Sequence, residues 1–249
     1  MAALIRAQLF VTCIVDSLFP AVGEAVVNVL ERLGVEVEFP EAQTCCGQPA
    51  YNAGFRAEAR ALARRFLDVF EPSDAPIVTP SGSCAAMVVH GYPDLFGDDP
   101  DKRNLARAKA LAARTYEFSQ FLVSVLNVED LGARWNGTLA YHPSCHLLRG
   151  LGVKEAAIGL LSQVEGVQVV PLPNAEECCG FGGLFSIKHG DISSAMLDRK
   201  LEGVRASGAE TVVGCDMSCL MHIQGGLSRD GSKVRCVHLA EVLAENKRV

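Results

Sequence analysis

Short apolar runs alternate along the first half of the chain with longer stretches in which apolar residues recur every three or four positions. Such runs are typical of buried strands, and the recurring positions are typical of one face of a helix. Gly34 ends the first of these helices and Pro40 ends the strand after it. The pattern predicts a strand that begins at 9 within the apolar run 9–15 and ends around Cys13, strands at 35–39 and 76–79, and helices at 22–33 and 59–70.

The second half repeats this order. Its pattern predicts strands at 139–141, 167–172 and 211–213 and helices at 153–164 and 191–206. Both halves end alike, because 114–122 parallels 235–243 as a strand that enters a last helix. Strands that alternate with helices pair in parallel. The sequence therefore predicts an α/β fold of two pseudo-repeated halves, each a small, mainly parallel sheet flanked by helices.

The repeat also divides the chain. We expect the boundary near 132–137, which gives a first cysteine-rich domain at 1–134 and a second at 135–249. The first half has an additional stretch at 92–103 that is rich in Pro and Asp. We expect this stretch to be a surface loop, because both residue types favour turns.

One sequence motif occurs twice, once in each half of the chain. Residues 39–47 and 172–180 match at an offset of 133 residues, and both end in Cys-Cys-Gly. One cysteine lies about thirty residues before each pair, and another lies about forty residues after it. Each half thus has four thiols in the same order. They are Cys13, Cys45, Cys46 and Cys84 in the first half and Cys145, Cys178, Cys179 and Cys219 in the second.

All of these cysteines follow predicted strands. Loops that leave the carboxyl ends of parallel strands meet at one sheet edge, so three loops bring four sulfurs together. The N-terminal N–H groups of the following helices favour thiolates there. Ordinary buried cysteines would account for one or two positions but not for two matching sets. Four thiolates also suit zinc, but adjacent cysteines wrap poorly around one ion, and the pattern favours an iron-sulfur cluster in each half.

Charge and composition exclude several other functions. The net charge is −6 and no basic cluster occurs, which makes nucleic acid and anionic membranes poor partners. No run approaches the roughly 18 apolar residues of a transmembrane segment. The first residues, with Arg6 among them, indicate a strand and not an export signal. We therefore expect a cytoplasmic protein whose ten cysteines stay reduced for metal or redox chemistry.

The paired spacing of Cys, Cys-Cys-Gly and Cys resembles the cysteine-rich domain family that includes the B subunit of heterodisulfide reductase and the iron-sulfur subunits of glycolate oxidase and anaerobic glycerol-3-phosphate dehydrogenase. The resemblance implies an iron-sulfur electron-transfer subunit of a complex that oxidises L-lactate to pyruvate. It also implies two partners, a ferredoxin-like iron-sulfur protein and a third small subunit of the lactate utilization complex. The motifs that carry it are Phe-Val-Thr-Cys at 10–13, Cys-Cys-Gly-Gln-Pro-Ala at 45–50, Tyr-His-Pro-Ser-Cys at 141–145 and Cys-Cys-Gly-Phe-Gly-Gly at 178–183.

The chain departs from this family at one point in each half. In the heterodisulfide reductase relatives the last cysteine belongs to a Cys-x-x-Cys, which gives five thiols per half. Ser81 and Asp216 occupy the first of those two positions here. Four cysteines per half imply a [4Fe-4S] cluster, one per half, with zinc as the alternative. Cys215 is a candidate extra ligand in the second half, or a thiol without a role.

Other residues beside the cysteines are candidates for the chemistry. His142 and His146 flank Cys145 and are candidate catalytic residues that tune a cluster, move a proton or bind an anionic substrate, unless they only cap the loop. Cys236 lies in an apolar strand and is expected to be structural. Four glycines are candidates for letting the backbone approach a cofactor closely, namely Gly47, Gly180, Gly182 and Gly183.

Three other functions remain open from the sequence. The vicinal cysteines suit a zinc-binding or thiol-disulfide redox protein. Glycolate or another 2-hydroxy acid is an alternative substrate, because lactate is implied by the resemblance alone. The chain is also compatible with an assembly subunit in which one half has lost its metal. Iron and sulfide analysis of protein purified without oxygen distinguishes these functions.

Overall fold

The structure is a computed structural model that describes residues 5–245. The chain forms two compact units that divide after Phe118. Each unit contains a sheet of four parallel strands flanked by helices, which confirms the predicted α/β fold with two pseudo-repeated halves. The predicted domain ranges stay predictions, and their ends at 1–4 and 246–249 lie outside the described residues.

The first sheet has the strand order β2-β1-β3-β4, and every neighbouring pair is parallel. Its strands are β1 (Ile5–Leu9), β2 (Val35–Glu38), β3 (Ile77–Thr79) and β4 (Thr115–Glu117). Its helices are α1 (Cys13–Leu18), α2 (Pro20–Arg32), α3 (Gln48–Asn52), α4 (Arg56–Phe70), α5 (Gly82–Ala86), α6 (Tyr92–Gly97) and α7 (Lys102–Ala112). A π-helical turn at Met87–Gly91 joins α5 to α6.

The second sheet repeats this topology with the order β6-β5-β7-β8, again entirely parallel. Its strands are β5 (Arg134–His142), β6 (Glu165–Val170), β7 (Thr211–Gly214) and β8 (Arg235–His238). The helices that follow α7 are α8 (Phe118–Ser124), α9 (Ala156–Ser162), α10 (Phe185–Lys188), α11 (Gly190–Ser207), α12 (Met217–Arg229) and α13 (Leu239–Ala244). A second π-helical turn covers His146–Gly150.

The first strand ends earlier than its apolar run. Strand β1 stops at Leu9, and Cys13 already begins α1, so the predicted strand from 9 to around Cys13 is wrong beyond residue 9. Phe10 and Val15 are nevertheless buried. Because the turn after the strand and the start of the helix both face the core, the run of apolar residues continues through the change in structure.

The predicted surface loop at 92–103 is also wrong. Helix α6 occupies its first part, α7 begins at Lys102, and Tyr92 and Phe96 are completely buried. Asp99 is buried as well, and its carboxylate pairs with Arg64 at 2.6 Å. The Pro and Asp residues that indicated a loop instead mark helix starts, because proline fits the first helical turn and aspartate caps it.

An aromatic cluster fills the core of the first unit beneath the Cys-Cys-Gly loop. The ring of Phe66 lies 4.4 Å from that of Phe70 and 5.3 Å from that of Tyr92. Phe10 contacts the first two rings edge-on. The Tyr92 hydroxyl donates a 3.0 Å hydrogen bond to the carbonyl of Cys46, so this core directly supports the cysteine loop.

Candidate metal centres

The four cysteines of the first half meet at the carboxyl edge of its sheet. Cys13 begins the helix after β1, the vicinal pair lies in the loop after β2, and Cys84 lies in the helix after β3. Their thiols form a hydrogen-bonded series in which Cys45 contacts Cys13 and Cys46, and Cys46 contacts Cys84. Residues up to 71 positions apart in the sequence thus form one cluster of sulfur donors.

The second half repeats this arrangement. Cys178 contacts Cys145 and Cys179, and Cys179 contacts Cys219. Cys145 follows β5, the vicinal pair follows β6, and Cys219 lies in the first turn of α12 after β7. The structure therefore brings together all eight cysteines that the sequence singled out, in two sets of four.

Each set has a closed side and an open side. Cys46 and Cys179 are 2% exposed, whereas Cys13 is exposed and Cys45 is half-buried. The corresponding Cys145 in the second half is half-buried too. A group bound by either set would be shielded on one side and accessible from the surface on the other.

One thiol in each set is strongly acidic. Hydrogen bonds from Cys13 and Cys46 lower the pKa of Cys45 to about 3, although burial opposes the shift. In the second half the matching bonds from Cys145 and Cys179 lower the pKa of Cys178 to about 2. The donating thiols have raised pKa values for the same reason. Each set thus holds one thiolate even before metal binding displaces the remaining protons.

Two glutamines bind the cysteine loops of the first half together. The Gln43 amide donates to the Leu9 carbonyl at 3.1 Å and accepts from the Val11 amide at 2.9 Å, which joins the vicinal loop to the segment before Cys13. Gln48 donates to the Ser83 carbonyl at 2.9 Å and joins the same loop to the helix of Cys84. Neither glutamine could be predicted from the sequence, because the sequence pattern does not show which distant residue a glutamine side chain will contact.

Lys200 has the corresponding role in the second half. It is completely buried on α11, and its ammonium donates to the carbonyls of Asn174 and Ala175 at 2.6 and 3.0 Å. Ser193, on the same helix, donates to the Gly180 carbonyl at 2.8 Å. Burial lowers the pKa of Lys200, and the nearby thiolates oppose that shift. The lysine therefore both holds the cysteine loop and places a positive charge beside it.

His142 lies at the closed side of the second set. It is the last residue of β5, is 1% exposed, and has one ring nitrogen within 4.8 Å of the sulfurs of Cys179 and Cys219. Burial, followed by the charge of Lys200, lowers the pKa of His142 to about 3. The ring is therefore neutral at physiological pH, which is the form of histidine that binds metals.

The other two candidates near Cys145 differ in position. His146 is half-buried, with Nδ1 3.7 Å from the Cys145 sulfur, and the guanidinium of Arg149 also contacts this thiol. The sulfur of Cys215 is completely buried and lies 3.7 Å from the Tyr141 hydroxyl. His146 thus lies at the open side of the site, and its role as a catalytic residue stays a prediction, as does that of Cys215 as a ligand.

Matching glycines follow the two vicinal pairs. The amides of Gly47 and Gly180 donate to the sulfurs of Cys45 and Cys178, both at 3.4 Å. Both glycines have positive φ, +84° and +91°. A Cβ on Gly180 would lie 2.6 Å from the Ser193 carbonyl oxygen, so this position requires glycine on two grounds. The glycines let the loop pack against a helix while the amide points at the sulfur.

The remaining candidates are two further glycines and Cys236, which belongs to neither set of four cysteines. Gly182 and Gly183 also have positive φ, but a Cβ on Gly182 would meet Phe185 at 2.8 Å, whereas one on Gly183 would have open space. Cys236 lies in β8, and burial raises its pKa to about 12. Among the described residues, neither Gly182 nor Gly183 donates a hydrogen bond to a sulfur. The close approach of these glycines to a cofactor therefore stays a prediction.

The residues that replace cysteines of the relatives act as helix caps. Ser81 precedes α5 and its hydroxyl accepts from the Cys84 amide at 3.2 Å. Asp216 precedes α12 and its carboxylate accepts from the Ser218 amide at 3.1 Å. Serine and aspartate are favoured at this position because they satisfy amides that lack helical partners. The caps hold in place the turns that carry the last cysteine of each set.

The two halves differ in the residues that surround the thiols. The two halves can be compared position by position. Matching Cys13 with Cys145 aligns the ends of the first strands of the two sheets, and matching the residues on which Gly47 and Gly180 pack aligns α4 with α11. With this alignment the second half has basic side chains where the first half has uncharged ones. The pairs, first half before second, are Phe10 and His142, Ile14 and His146, Ser17 and Arg149, Phe66 and Lys200, and Met87 and His222.

These features define the class of the protein. Four clustered thiols per half, one already ionised, are a donor set for a metal ion or an iron-sulfur cluster, and the buried nitrogens of His142 add a further donor. The sequence matches the cysteine-rich domain family CCG over residues 7–89 and 139–224. Each matched segment contains one complete set of four cysteines. The chain therefore belongs to the CCG cysteine-rich domain family.

Individual relatives share nearly the whole chain. Lactate utilization protein A of Geobacillus kaustophilus is 51% identical over 238 residues, which cover 96% of this chain and 98% of that protein. Proteins of the same name from Anoxybacillus flavithermus and Bacillus cytotoxicus are each 52% identical, over 94% and 96% of this chain and 97% and 98% of their own lengths. The resemblance that the cysteine spacing indicated is thereby confirmed.

Proposed function

We propose that the chain is an iron-sulfur electron-transfer subunit of a complex that oxidises L-lactate to pyruvate. The observation that carries this proposal is the two sets of four cysteines, one at each sheet edge, in which the thiols are joined one to the next by hydrogen bonds. Lactate as the substrate of the complex is supported by the name of relatives that are about half identical to the chain.

The arrangement of the thiols supports one [4Fe-4S] cluster per half. Adjacent cysteines such as Cys45 and Cys46 reach two irons of a cluster more readily than they wrap around a single zinc ion. When bound, such a cluster accepts and donates single electrons. The chain itself contributes amide hydrogen bonds from Gly47 and Gly180 to ligand sulfurs, which stabilise the negative charge of the centre.

The number of centres agrees with the chemistry of the reaction. Oxidation of L-lactate to pyruvate releases two electrons and two protons. Two one-electron centres on one chain match the two electrons. The reaction also needs a group that takes up the protons, and we assign the removal of hydrogen from lactate to the complex as a whole.

We infer that the chain works in the cytoplasm with a ferredoxin-like iron-sulfur protein and a third small subunit of the lactate utilization complex. The open side of each set, with Cys13 exposed and Cys145 half-buried, supports electron exchange with such a partner. Within residues 5–245, none of the helices combines the length and apolar character that a membrane crossing requires.

Metal analysis of the full chain, purified without oxygen, tests the proposal. We expect a brown protein with about four irons and four sulfides per half. A colourless protein with about one zinc per chain would support a zinc-binding protein instead, and a metal-free one would support thiol-disulfide chemistry. The substrate is tested by mixing the chain with both partners. L-lactate should bleach the visible absorption, and an equal response to glycolate would contradict lactate specificity.

A further inference from the structure

His142 combines deep burial with unsatisfied polar atoms. It ends strand β5, pairs with Gly214 of β7, and is 1% exposed. By normal hydrogen-bond geometry neither ring nitrogen has a partner among the described residues, although the Ala175 backbone lies near enough to affect the pKa of the ring. An imidazole buried without partners is unfavourable, because its nitrogens lose their hydrogen bonds to water. Such a side chain in a folded protein calls for an explanation, of which a bound metal ion or an ordered water molecule is the simplest.

The surroundings of His142 indicate that its partner is a metal. One of its ring nitrogens and the sulfurs of Cys179 and Cys219 all lie within 4.8 Å of one another, and all three residues are buried. A sulfur and a nitrogen bound to one ion lie at most about 4.3 Å apart, and two sulfurs at most about 4.6 Å apart, because metal–sulfur and metal–nitrogen bonds are about 2.3 and 2.0 Å long. Only a small movement of the side chains would let the ring nitrogen bind the metal centre that Cys179 and Cys219 hold.

We propose that His142 binds the metal centre of the second half through a ring nitrogen, beside Cys179 and Cys219. This inference depends on the proposed function, because it concerns the ligands of the same site, with imidazole in place of one of the four thiolates. The second half then differs chemically from the first, which has Phe10 at the corresponding position and offers only sulfur. Imidazole in place of thiolate is known to raise the reduction potential of iron-sulfur centres. The second centre would accordingly be the better electron acceptor.

The first half supplies the design of the test. His142→Phe reproduces the residue of the first half and removes the nitrogen. His142→Cys removes the nitrogen but supplies sulfur, which protects the test against loss of the centre. His146→Phe is the matched control, because His146 also contacts a cysteine but lies at the open side.

Pulsed electron paramagnetic resonance of the reduced full-length chain, with and without 15N-labelled histidine, provides the measurement. We expect strong coupling from a directly bound nitrogen in the wild type and in His146→Phe. The coupling should be absent from His142→Phe and from His142→Cys, with the iron of the second half retained in His142→Cys. Iron-loaded wild type without this coupling, or with only the weak coupling of a hydrogen-bonded ring, would overturn the assignment.

Failure of the proposed function gives a different result. If the chain holds zinc instead of iron, X-ray absorption at the zinc edge should show one nitrogen ligand in the wild type and none in His142→Phe. An all-sulfur zinc site in the wild type would overturn the His142 assignment as well. A chain that binds no metal overturns both the proposed function and this ligand.

Discussion

The ring of Phe10 lies 5.0 Å from the ring of Phe66 in an edge-to-face contact. The corresponding positions in the second half are His142 and Lys200, which lie close enough for the charge of the lysine to lower the pKa of the histidine. The cysteines of the first half are thus next to apolar side chains, and those of the second half are next to basic side chains. Positive charge near an iron-sulfur centre favours its reduced form, so the two centres should differ in reduction potential.

Replacement of Lys200 tests this difference. Lys200→Met removes the buried charge, and we expect the potential of the second centre to fall while that of the first is unchanged. The variant also leaves two carbonyls without their donor, which should cost about 1–3 kcal/mol each. A redox titration followed by paramagnetic resonance measures the potentials. Lys154→Met, which changes an exposed lysine, is the control, and equal shifts in both variants would contradict the expectation.

Separate substitutions in the two halves test whether each holds its own centre. Cys46→Ser and Cys179→Ser should each remove about half of the iron, because each takes a buried ligand from one set only. Iron and sulfide analysis of the purified variants measures this. Cys236→Ser should retain all the iron, because this cysteine belongs to neither set. Loss of all iron from a single substitution would instead indicate one shared centre.

The glycine after the second vicinal pair should tolerate no side chain. Gly180→Ala places a Cβ 2.6 Å from a carbonyl oxygen at a φ of +91°, which should cost about 2–5 kcal/mol in total. Gly183→Ala is a matched control with positive φ and open space, and should cost only about 1–2 kcal/mol. Thermal unfolding of both variants measures the difference. Similar midpoints for the two would contradict the packing argument.

Thr12 has a backbone conformation that glycine adopts more easily. Its φ of 75° and ψ of 149° are rare for a residue with a Cβ and cost about 1–3 kcal/mol directly before Cys13. Thr12→Gly should relieve this strain and raise the unfolding midpoint of the metal-free chain, despite the entropy cost of glycine, about 0.5–1 kcal/mol. The corresponding Ser144 lacks positive φ and its hydroxyl accepts from the Leu147 amide, so Ser144→Gly should lower the midpoint. A lower midpoint in both variants would refute strain at Thr12.

Thiol reactivity in the metal-free chain should depend on pH differently at two cysteines. Cys45, with a pKa of about 3, is a thiolate throughout the neutral range, so its alkylation by iodoacetamide should change little between about pH 5 and 9. Cys236, with a pKa of about 12, is protonated there, and its rate should rise about tenfold per pH unit. Mass spectrometry of labelled peptides measures both rates. A steep rise for Cys45 would contradict the hydrogen-bonded thiolate.

The parts of the site that the sequence predicted follow from strand ends and spacing. Parallel strands place their carboxyl ends at one edge, so the position of a cysteine after a strand was sufficient to group Cys13 with Cys84. Lys200 could have been recognised from its helix, because α11 buries residues 193, 197, 201 and 204 and Lys200 lies on that same face. A lysine within an apolar stripe indicates a buried charge with a partner. Gln43 gave no such signal, since its bonds depend on the meeting of two distant loops.

The error at 92–103 has a related cause. Pro and Asp favour both turns and the first residues of helices, and local composition does not separate the two. Tyr92 reveals the helix only through its burial and its bond to the cysteine loop, which are properties of the folded core.

The wide helical turns at Met87–Gly91 and His146–Gly150 occur at different places in the two halves. Each closes with a bond between residues five apart, such as the 2.9 Å bond from the Leu151 amide to the His146 carbonyl, and so contains one residue more than an α-helical turn. The offset between the halves accordingly grows by one residue between Cys145 and the next cysteine pair. Segments of the two halves are therefore not interchangeable: grafting 145–150 in place of 13–18 would replace α1 with a wide turn and change the direction in which the chain enters α2.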